Sequence, residues 1–285
     1  EEYVMQATKT SLDSYVSVLM MENKVVTKKV LERAGISVPG GYEYTSPEAG
    51  MADYRMYAGK PVVIKPKSTN FGLGITILKH NYDETDFKAA LQIAFEHDNT
   101  VLIEKFIPGR EFRIFIINDE VVGILHRVPA NVTGDGVLNI GQLIDRKNED
   151  PLRGKGYRTP LEKIRKGREE EMFLKQQGMD FNTVPKEGEV VYLRENSNIS
   201  TGGDSIDFTD DIDDSYKAIA VEAAKALNVK ITGLDMMIQD IHAPATPDNY
   251  AIIEMNFNPA IHIHCYPFKG KNRHLNHKMI RALGF

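Results

Sequence analysis

The chain has 285 residues, 42% of them hydrophobic and 26% charged, which suffices for one large domain or two smaller ones with real cores. Its formal net charge of -5 excludes a global basic field for nucleic acid, so an anionic substrate must be held by locally placed cations. The single cysteine, Cys265, excludes an intrachain disulfide, and no apolar run reaches the roughly 18 residues that span a bilayer as a helix. With no signal-peptide pattern at Glu1-Glu2-Tyr3, the expected compartment is the cytoplasm, with neither membrane nor nucleic acid as partner.

Residues 1–22 are too few for a domain and read as an N-terminal extension or the tail of a preceding domain. A helix is expected from Asn23, which can cap the run Lys24–Leu31, with Gly35 closing it and Val38-Pro39 marking a stop. Residues 23–60 form a linking helical segment. Pro61–Lys65 reads as a buried strand and Ile75–Leu78 as its neighbour, with a glycine loop between them. Asp83–His97 places Phe87, Leu91 and Ala94-Phe95 on one helical face, and Val101–Glu104 is a further strand. Residues 61–105 are expected to form a small lobe and 106–285 a large one.

Within the large lobe, Phe112–Ile117 and Val121–Leu125 flank Asn118-Asp119-Glu120 as a hairpin. Helices are expected at Ile140–Lys147 and Leu161–Gln177, and a strand at Val190–Arg194 before a polar loop from Asn196 to Asp207. Asp211–Leu227 is a helix with acids at its start, as the dipole prefers. Ile231–Ile238 and Tyr250–Met255 read as core strands, and Lys271–Leu283 as a closing helix. Hairpins outnumber crossovers, which makes the fold class α+β rather than a doubly wound parallel sheet.

Three segments carry chemistry. The first is the loop Lys65-Pro66-Lys67-Ser68-Thr69-Asn70-Phe71-Gly72-Leu73-Gly74. It lacks the Walker pattern, and Ile77 stands where a Rossmann turn needs its third glycine. A Gly-rich hairpin between strands can still close over phosphates with its N–H groups, although taken alone it is equally a plain turn. Lys65 ends an apolar strand, where an unpaired ammonium is costly, and Lys24 opens a helix, the end that disfavours cations. Both placements make sense with a polyphosphate between them; for either lysine alone a solvated charge is the plainer reading.

The second segment is Glu104-Lys105-Phe106-Ile107-Pro108-Gly109-Arg110-Glu111, a strand running into a connector with an acid at each end. Such a segment can offer backbone groups to an adenine edge and Glu111 to ribose hydroxyls. The third is Asp235 together with Glu254 and Asn256, the last two sharing one face of a strand. Two carboxylates and an amide oxygen are hard ligands suited to Mg²⁺, against the alternative of a structural ion pair or capping cluster.

Lys24, the Lys65 strand with its Gly72/Gly74 loop, Glu104 with Glu111, and Asp235 with Glu254-x-Asn256 occur in the order found in ATP-grasp ligases, which the chain resembles. Within that superfamily it is most similar to the glutathione synthetase module of bacterial bifunctional enzymes that make γ-glutamylcysteine and then glutathione. Cyanophycin synthetase is similar over the same stretch. The shared segments are Arg127–Gly136, Asp150–Gly154, Leu193-Arg194 and Ser200–Gly203.

The resemblance implies two α+β lobes sandwiching ATP. Lys24, Lys65 and the loop with Ser68, Gly72 and Gly74 would hold the phosphates. Glu104 and the backbone at Phe106 and Ile107 would read adenine, and Glu111 the ribose. Mg²⁺, or Mn²⁺ in its place, would sit on Asp235, Glu254 and Asn256. The implied activity is ADP-forming ligation of a carboxylate to an amine through an acylphosphate, with γ-glutamylcysteine and glycine as substrates. It also implies a chain fused to, or excised from, a larger polypeptide with a glutamate–cysteine ligase domain. The alternatives are cyanophycin-type amino-acid ligation and a non-catalytic nucleotide-binding module, the latter disfavoured by the intact metal ligands.

Two departures matter. ATP-grasp ligases usually carry a separate N-terminal substrate domain, and about twenty residues precede Asn23 here. Several place an arginine two residues before the first metal acid, where this chain has Gly233. Arg113, Arg127 or Arg194 is left to supply that charge, and Arg113 and Arg127, on either side of the hairpin turn, are expected to reach one side of the nucleotide cleft. Cys265 is expected to be a small buried thiol outside the chemistry.

Overall fold

The structure, a computed structural model, describes residues 8–69, 73–79 and 81–285. The chain divides into two compact units, Glu1–Val121 with Asp211–Pro259, and Val122–Asp210 with Ala260–Phe285. Both mix helix and strand, as the α+β expectation requires.

With elements numbered along the whole chain, the first unit opens on α1 (Tyr15–Glu22), α2 (Lys24–Arg33), β1 (Gly41–Tyr44), α3 (Pro47–Ala52) and α4 (Tyr54–Tyr57). It continues through β2 (Val62–Pro66), β3 (Thr76–Leu78), α5 (Glu84–Phe95), β4 (Val101–Lys105) and β5 (Arg110–Ile117). After the second unit's main segment the chain returns with α8 (Asp214–Ala226), β12 (Ile231–Ile238) and β13 (Tyr250–Asn256). Asn23 caps α2 as expected, its side chain accepting from the N–H groups of Val25 and Val26. Asp83 and Asp86 form a capping box at the start of α5.

Two antiparallel sheets organise this unit. One runs β1-β4-β2-β3 and is covered by α5, whose Phe87 and Leu91 are fully buried against Ile64, Val101 and Ile103. Each of those two side chains stabilises the unit by roughly 1.5–3 kcal/mol. In the other, β12 lies between β5 and β13. The chain leaves β5 through Asn118 and Asp119, both at positive φ (48° and 66°), which suits a two-residue turn.

The strand β6 (Glu120–Val128) leads into the second unit, with β7 (Asn131–Thr133), α6 (Ile140–Lys147), β8 (Arg153–Gly154), β9 (Leu161–Glu162), α7 (Arg168–Gln176), β10 (Val190–Tyr192), β11 (Asp204–Asp207), α9 (His262–Cys265) and α10 (Leu275–Ala282). The strand β6 pairs with β11 and β7 with β10, both antiparallel. Its core gathers Val132, Ile140, Ile144, Leu174, Val191 and Leu193.

Several expectations need correction. The helix expected over Leu161–Gln177 begins only at Arg168, because Gly167 is extended (φ -104°) and its N–H donates to the Glu170 carboxylate, a cap that fixes the start. Ahead of it Leu161 is fully buried in the short strand β9. The polar loop expected over Asn196–Asp207 contains β11, whose residues pair with Leu125–Val128. The closing helix starts at Leu275 rather than Lys271, since Lys271 and Arg273 are drawn to Asp207 and Asp210 instead. The strand β1 and helix α1 were not anticipated, and α1 packs with α2 and β13. Among the described residues no helix is long and apolar enough to cross a membrane.

Candidate active site

The middle strand of the second sheet assembles the carboxylates. Asp235 on β12 stands opposite Arg113 on β5 and opposite Glu254 on β13, so the three form one row across neighbouring strands. Asn256 is two residues beyond Glu254, on the same face, with Gly233 opposite. Arg113 grips Asp235 with both arms of its fork, Nε to Oδ1 at 2.5 Å and Nη2 to Oδ2 at 2.8 Å. Asp235 is 2% exposed and Arg113 8%. Burial alone would lower the Arg113 guanidinium, but the charge and hydrogen bonds of Asp235 together with the charge of Glu254 outweigh it and raise it.

Gly233 now has a physical reason. A Cβ there would fall 2.7 Å from Cβ of Pro259 and 3.0 Å from Cδ of Arg113, so the space a side chain needs is taken by Pro259 and by the arginine from the next strand.

A metal ion fits this donor set on chemical grounds. The carboxylate of Asp235 is a hard oxygen donor, oriented by Arg113. The Glu254 side chain is partly exposed, with Lys24 Nζ 3.9 Å from its Oε1. The Asn256 amide nitrogen donates to the Gly233 carbonyl at 3.2 Å, which leaves its oxygen to coordinate. Among the described residues no group of three or more His, Cys, Asp or Glu could hold a metal by itself. An ion on Asp235 and Glu254 would therefore depend on Asn256 and on ligand or water oxygens, as Mg²⁺ usually does.

The lysines surround the same region of the first unit. Lys24 Nζ donates to the Thr69 carbonyl at 2.8 Å, so it ties the glycine loop to Glu254. Burial pulls the Lys24 ammonium below its usual range, partly offset by Glu254. Lys65 is not the unpaired ammonium that its apolar strand suggested, since Glu104 Oε2 lies 2.8 Å from its Nζ. Lys65 and Glu104 are diagonal neighbours on β2 and β4, Val63 being the residue directly opposite Glu104. Lys28 Nζ reaches the other oxygen of Glu104 at 2.9 Å.

The loop itself is tethered at both ends. Ser68 donates from its N–H and hydroxyl to Asp98 Oδ2 at 2.7 and 2.5 Å, and the Thr69 hydroxyl donates to the Leu73 carbonyl. Gly74 takes φ +75°, and a Cβ there would meet Pro66 Cγ at 2.7 Å. Gly72 lies outside the described residues. Further on, Phe106 is half-buried, its N–H donating to the Pro61 carbonyl and its ring 5.8 Å from the Lys79 ammonium. Ile107 is half-buried, and Glu111 lies on β5 opposite Met237.

Residues 21–146 match the family described as the RimK-like ATP-grasp domain. The chain is 63% identical over 284 residues to the glutathione biosynthesis bifunctional protein of Desulfotalea psychrophila, and 56% identical over 282 residues to that of Clostridium perfringens. These matches cover 100% and 99% of this chain. A crystal structure of a bifunctional glutathione synthetase from Pasteurella multocida aligns with 99% of the chain, at TM-score 0.75 and 48% identity.

The fold is the ATP-grasp fold. It spans 36% of the length of the two curated relatives and 39% of the Pasteurella chain. The ATP-grasp match over residues 21–146 takes in Lys24, Lys65, Glu104 and Arg113, while the Asp235, Glu254 and Asn256 row lies in the stretch that the full-length alignments cover.

Of the three arginines weighed against Gly233, Arg113 alone is in the first unit. Arg127 lies half-buried on β6 opposite Ser205. Arg194 is held by the first turn of α7, donating to Glu170 Oε1 at 2.7 Å from Nε and pairing also with Glu169. Cys265 is buried, as expected, its thiol 3.7 Å from the Asn276 side-chain oxygen.

Sequence reasoning missed two things in this chain. Lys28, four residues after Lys24 on one helical face, pairs with the buried Glu104, a partner the sequence gives no sign of. In the second unit Arg153 and Lys147 both pair with Asp204, and Arg153 also donates to the carbonyls of Glu162 and Gly202. Both cations stand over the Phe268 ring, at 5.5 and 5.2 Å. Two of the segments on which the resemblance rests, Asp150–Gly154 and Ser200–Gly203, are thus stitched together by one arginine.

Proposed function

We propose that this chain joins a carboxylate to an amine at the expense of ATP, by way of an acylphosphate, and that the substrates are γ-glutamylcysteine and glycine. The observation that carries the reading is the row Arg113–Asp235–Glu254 with Asn256 beside it, joined through Lys24 to the glycine loop. A binding-only module has no use for this combination of oxygen ligands and phosphate-facing cations. The 63% identity to a protein named for glutathione biosynthesis supports the choice of substrates.

Lys24, Lys65 and the backbone around Ser68 and Gly74 hold the phosphates. Because the Phe106 N–H is already donated to Pro61, the adenine edge falls to the Phe106 carbonyl and the Ile107 N–H, with Glu111 on the ribose. Glu104 acts on the phosphates through Lys65 rather than on adenine, since both its oxygens face lysines. Asp235, Glu254 and Asn256 would hold Mg²⁺, or Mn²⁺ in its place, and the ion would offset charge on the β- and γ-phosphates. Arg113 fixes the orientation of the Asp235 carboxylate with two hydrogen bonds.

The cysteinyl carboxylate of γ-glutamylcysteine attacks the γ-phosphorus and ADP departs. The glycine amine then attacks the acyl carbon, phosphate leaves, and the amine proton is lost to solvent. Arg127 is assigned to the oxygens of the reacting carboxylate, where a fixed fork suits two acceptors. Arg194, committed to Glu169 and Glu170, orders α7 instead. The reaction belongs to the cytoplasm, with γ-glutamylcysteine supplied by a glutamate–cysteine ligase domain of the same polypeptide. Phosphate release from ATP tests this: it should require γ-glutamylcysteine and glycine together. Turnover with an aspartate-backbone acceptor but not with γ-glutamylcysteine would favour the cyanophycin-type reading.

A further inference from the structure

Glu104 is 3% exposed and faces two ammonium groups, Lys28 at 2.9 Å on one oxygen and Lys65 at 2.8 Å on the other. One cation is enough to keep a buried carboxylate from being stranded; the second calls for an explanation. Burial would raise the Glu104 carboxyl, but the two lysines outweigh it and hold it below the ordinary range, so Glu104 is an anion. Lys28 comes from α2 and Lys65 from β2, so the two approach Glu104 from different elements.

Resting on the reading above, in which Lys65 serves a phosphate, a conflict arises. To reach a phosphate, Lys65 has to give up or share Glu104, and with no other cation present that move would leave a buried carboxylate uncompensated. The loss would be subtracted from nucleotide affinity. Lys28, 15% exposed at its side chain and bound to the oxygen that Lys65 does not use, removes this penalty.

We infer that Lys28 is a positioning residue for the nucleotide: it keeps Glu104 neutralised so that Lys65 is released to the phosphates. Lys28 need not touch the ligand. Its effect runs through Glu104, and that gives it a signature that a direct phosphate contact lacks.

The test is calorimetric titration with ADP of the wild type, Lys28→Met, Glu104→Gln and the double variant, each below its melting transition. Lys28→Met should weaken ADP binding about tenfold in the wild-type background and less than about threefold in the Glu104→Gln background, a coupling expected only of residues acting through one another. Lys28→Arg should restore most of the affinity. Should Lys28→Met not fold, Lys28→Gln, which keeps a donor without the charge, replaces it with the same expectation. An equal loss in both backgrounds, or no loss at Lys28→Met, overturns the inference. Lys65→Met separates the two levels: if it leaves ADP affinity unchanged, the nucleotide reading itself fails, whereas weakened binding at Lys65→Met with none at Lys28→Met refutes only the role of Lys28.

Discussion

Replacing Arg113 with methionine probes the centre of the carboxylate row. Arg113→Met removes two charge-assisted hydrogen bonds, at 2.5 and 2.8 Å, from an aspartate that is 2% exposed. It also leaves Asp235 beside Glu254 in the sheet register, so the uncompensated charge has an acidic neighbour. Breaking one side of such a buried pair costs about 3–5 kcal/mol. Set against a total stability of about 5–15 kcal/mol, that is a large fraction. Removing both partners is a different perturbation, because no charge is stranded. Arg113→Met combined with Asp235→Leu should recover most of the loss and lie within about 1 kcal/mol of wild type. Arg113→Lys keeps the charge but not the fork, and should fall between wild type and Arg113→Met. Urea unfolding followed by circular dichroism measures these four proteins and Asp235→Leu alone, which completes the cycle. A cost below about 1 kcal/mol for Arg113→Met, or a double variant as unstable as the sum of its parts, would refute the description of this pair.

Other perturbations give separable outcomes. Glu254→Gln should abolish turnover with an unchanged melting transition, because the residue is partly exposed and its proposed task is to hold the metal; full activity at ordinary Mg²⁺ rules that task out. Arg127→Lys should lower kcat by more than about tenfold, a transition-state loss above about 1.4 kcal/mol, while ATP affinity stays near normal. A kcat close to wild type removes Arg127 from the reacting carboxylate. Acid stability should follow Asp207 in the second unit: burial would raise its carboxyl, but hydrogen bonds from Arg273 and Thr209 outweigh that and hold it below the ordinary range. A depressed carboxyl stabilises above the unfolded value of about 3.9 and loses that contribution as pH falls through its folded value. The melting-temperature gap between wild type and Arg273→Gln should therefore shrink as pH is lowered below about 4, and a gap independent of pH contradicts the assignment.

The parts of the site that could be read from the sequence are those with local periodicity. Glu254 and Asn256 share a face because a strand alternates, and Ile231–Ile238 reads as a strand because it is apolar at most positions around Asp235. What lay across strands was not visible. That Arg113 fills the place left open by Gly233 depends on the β5–β12 register, which joins residues more than a hundred positions apart. Lys28 has the sequence appearance of any solvated helical lysine, and only the fold brings Glu104 to it. The strand β11 escaped notice because Asp204-Ser205-Ile206-Asp207 is polar, and its acids serve as partners for Arg153, Lys147 and Arg273 rather than facing water. The early start assigned to α7 followed its apolar periodicity, which cannot register that Gly167 is extended and capped by Glu170.

The claim that matters most is that the carboxylate itself is phosphorylated. With ¹⁸O in the cysteinyl carboxylate of γ-glutamylcysteine, turnover in the presence of ATP and glycine transfers one label to the released phosphate if an acylphosphate forms. Mass spectrometry of that phosphate should show one ¹⁸O per product molecule; unlabelled phosphate, formed at the same rate as the amide, contradicts the account.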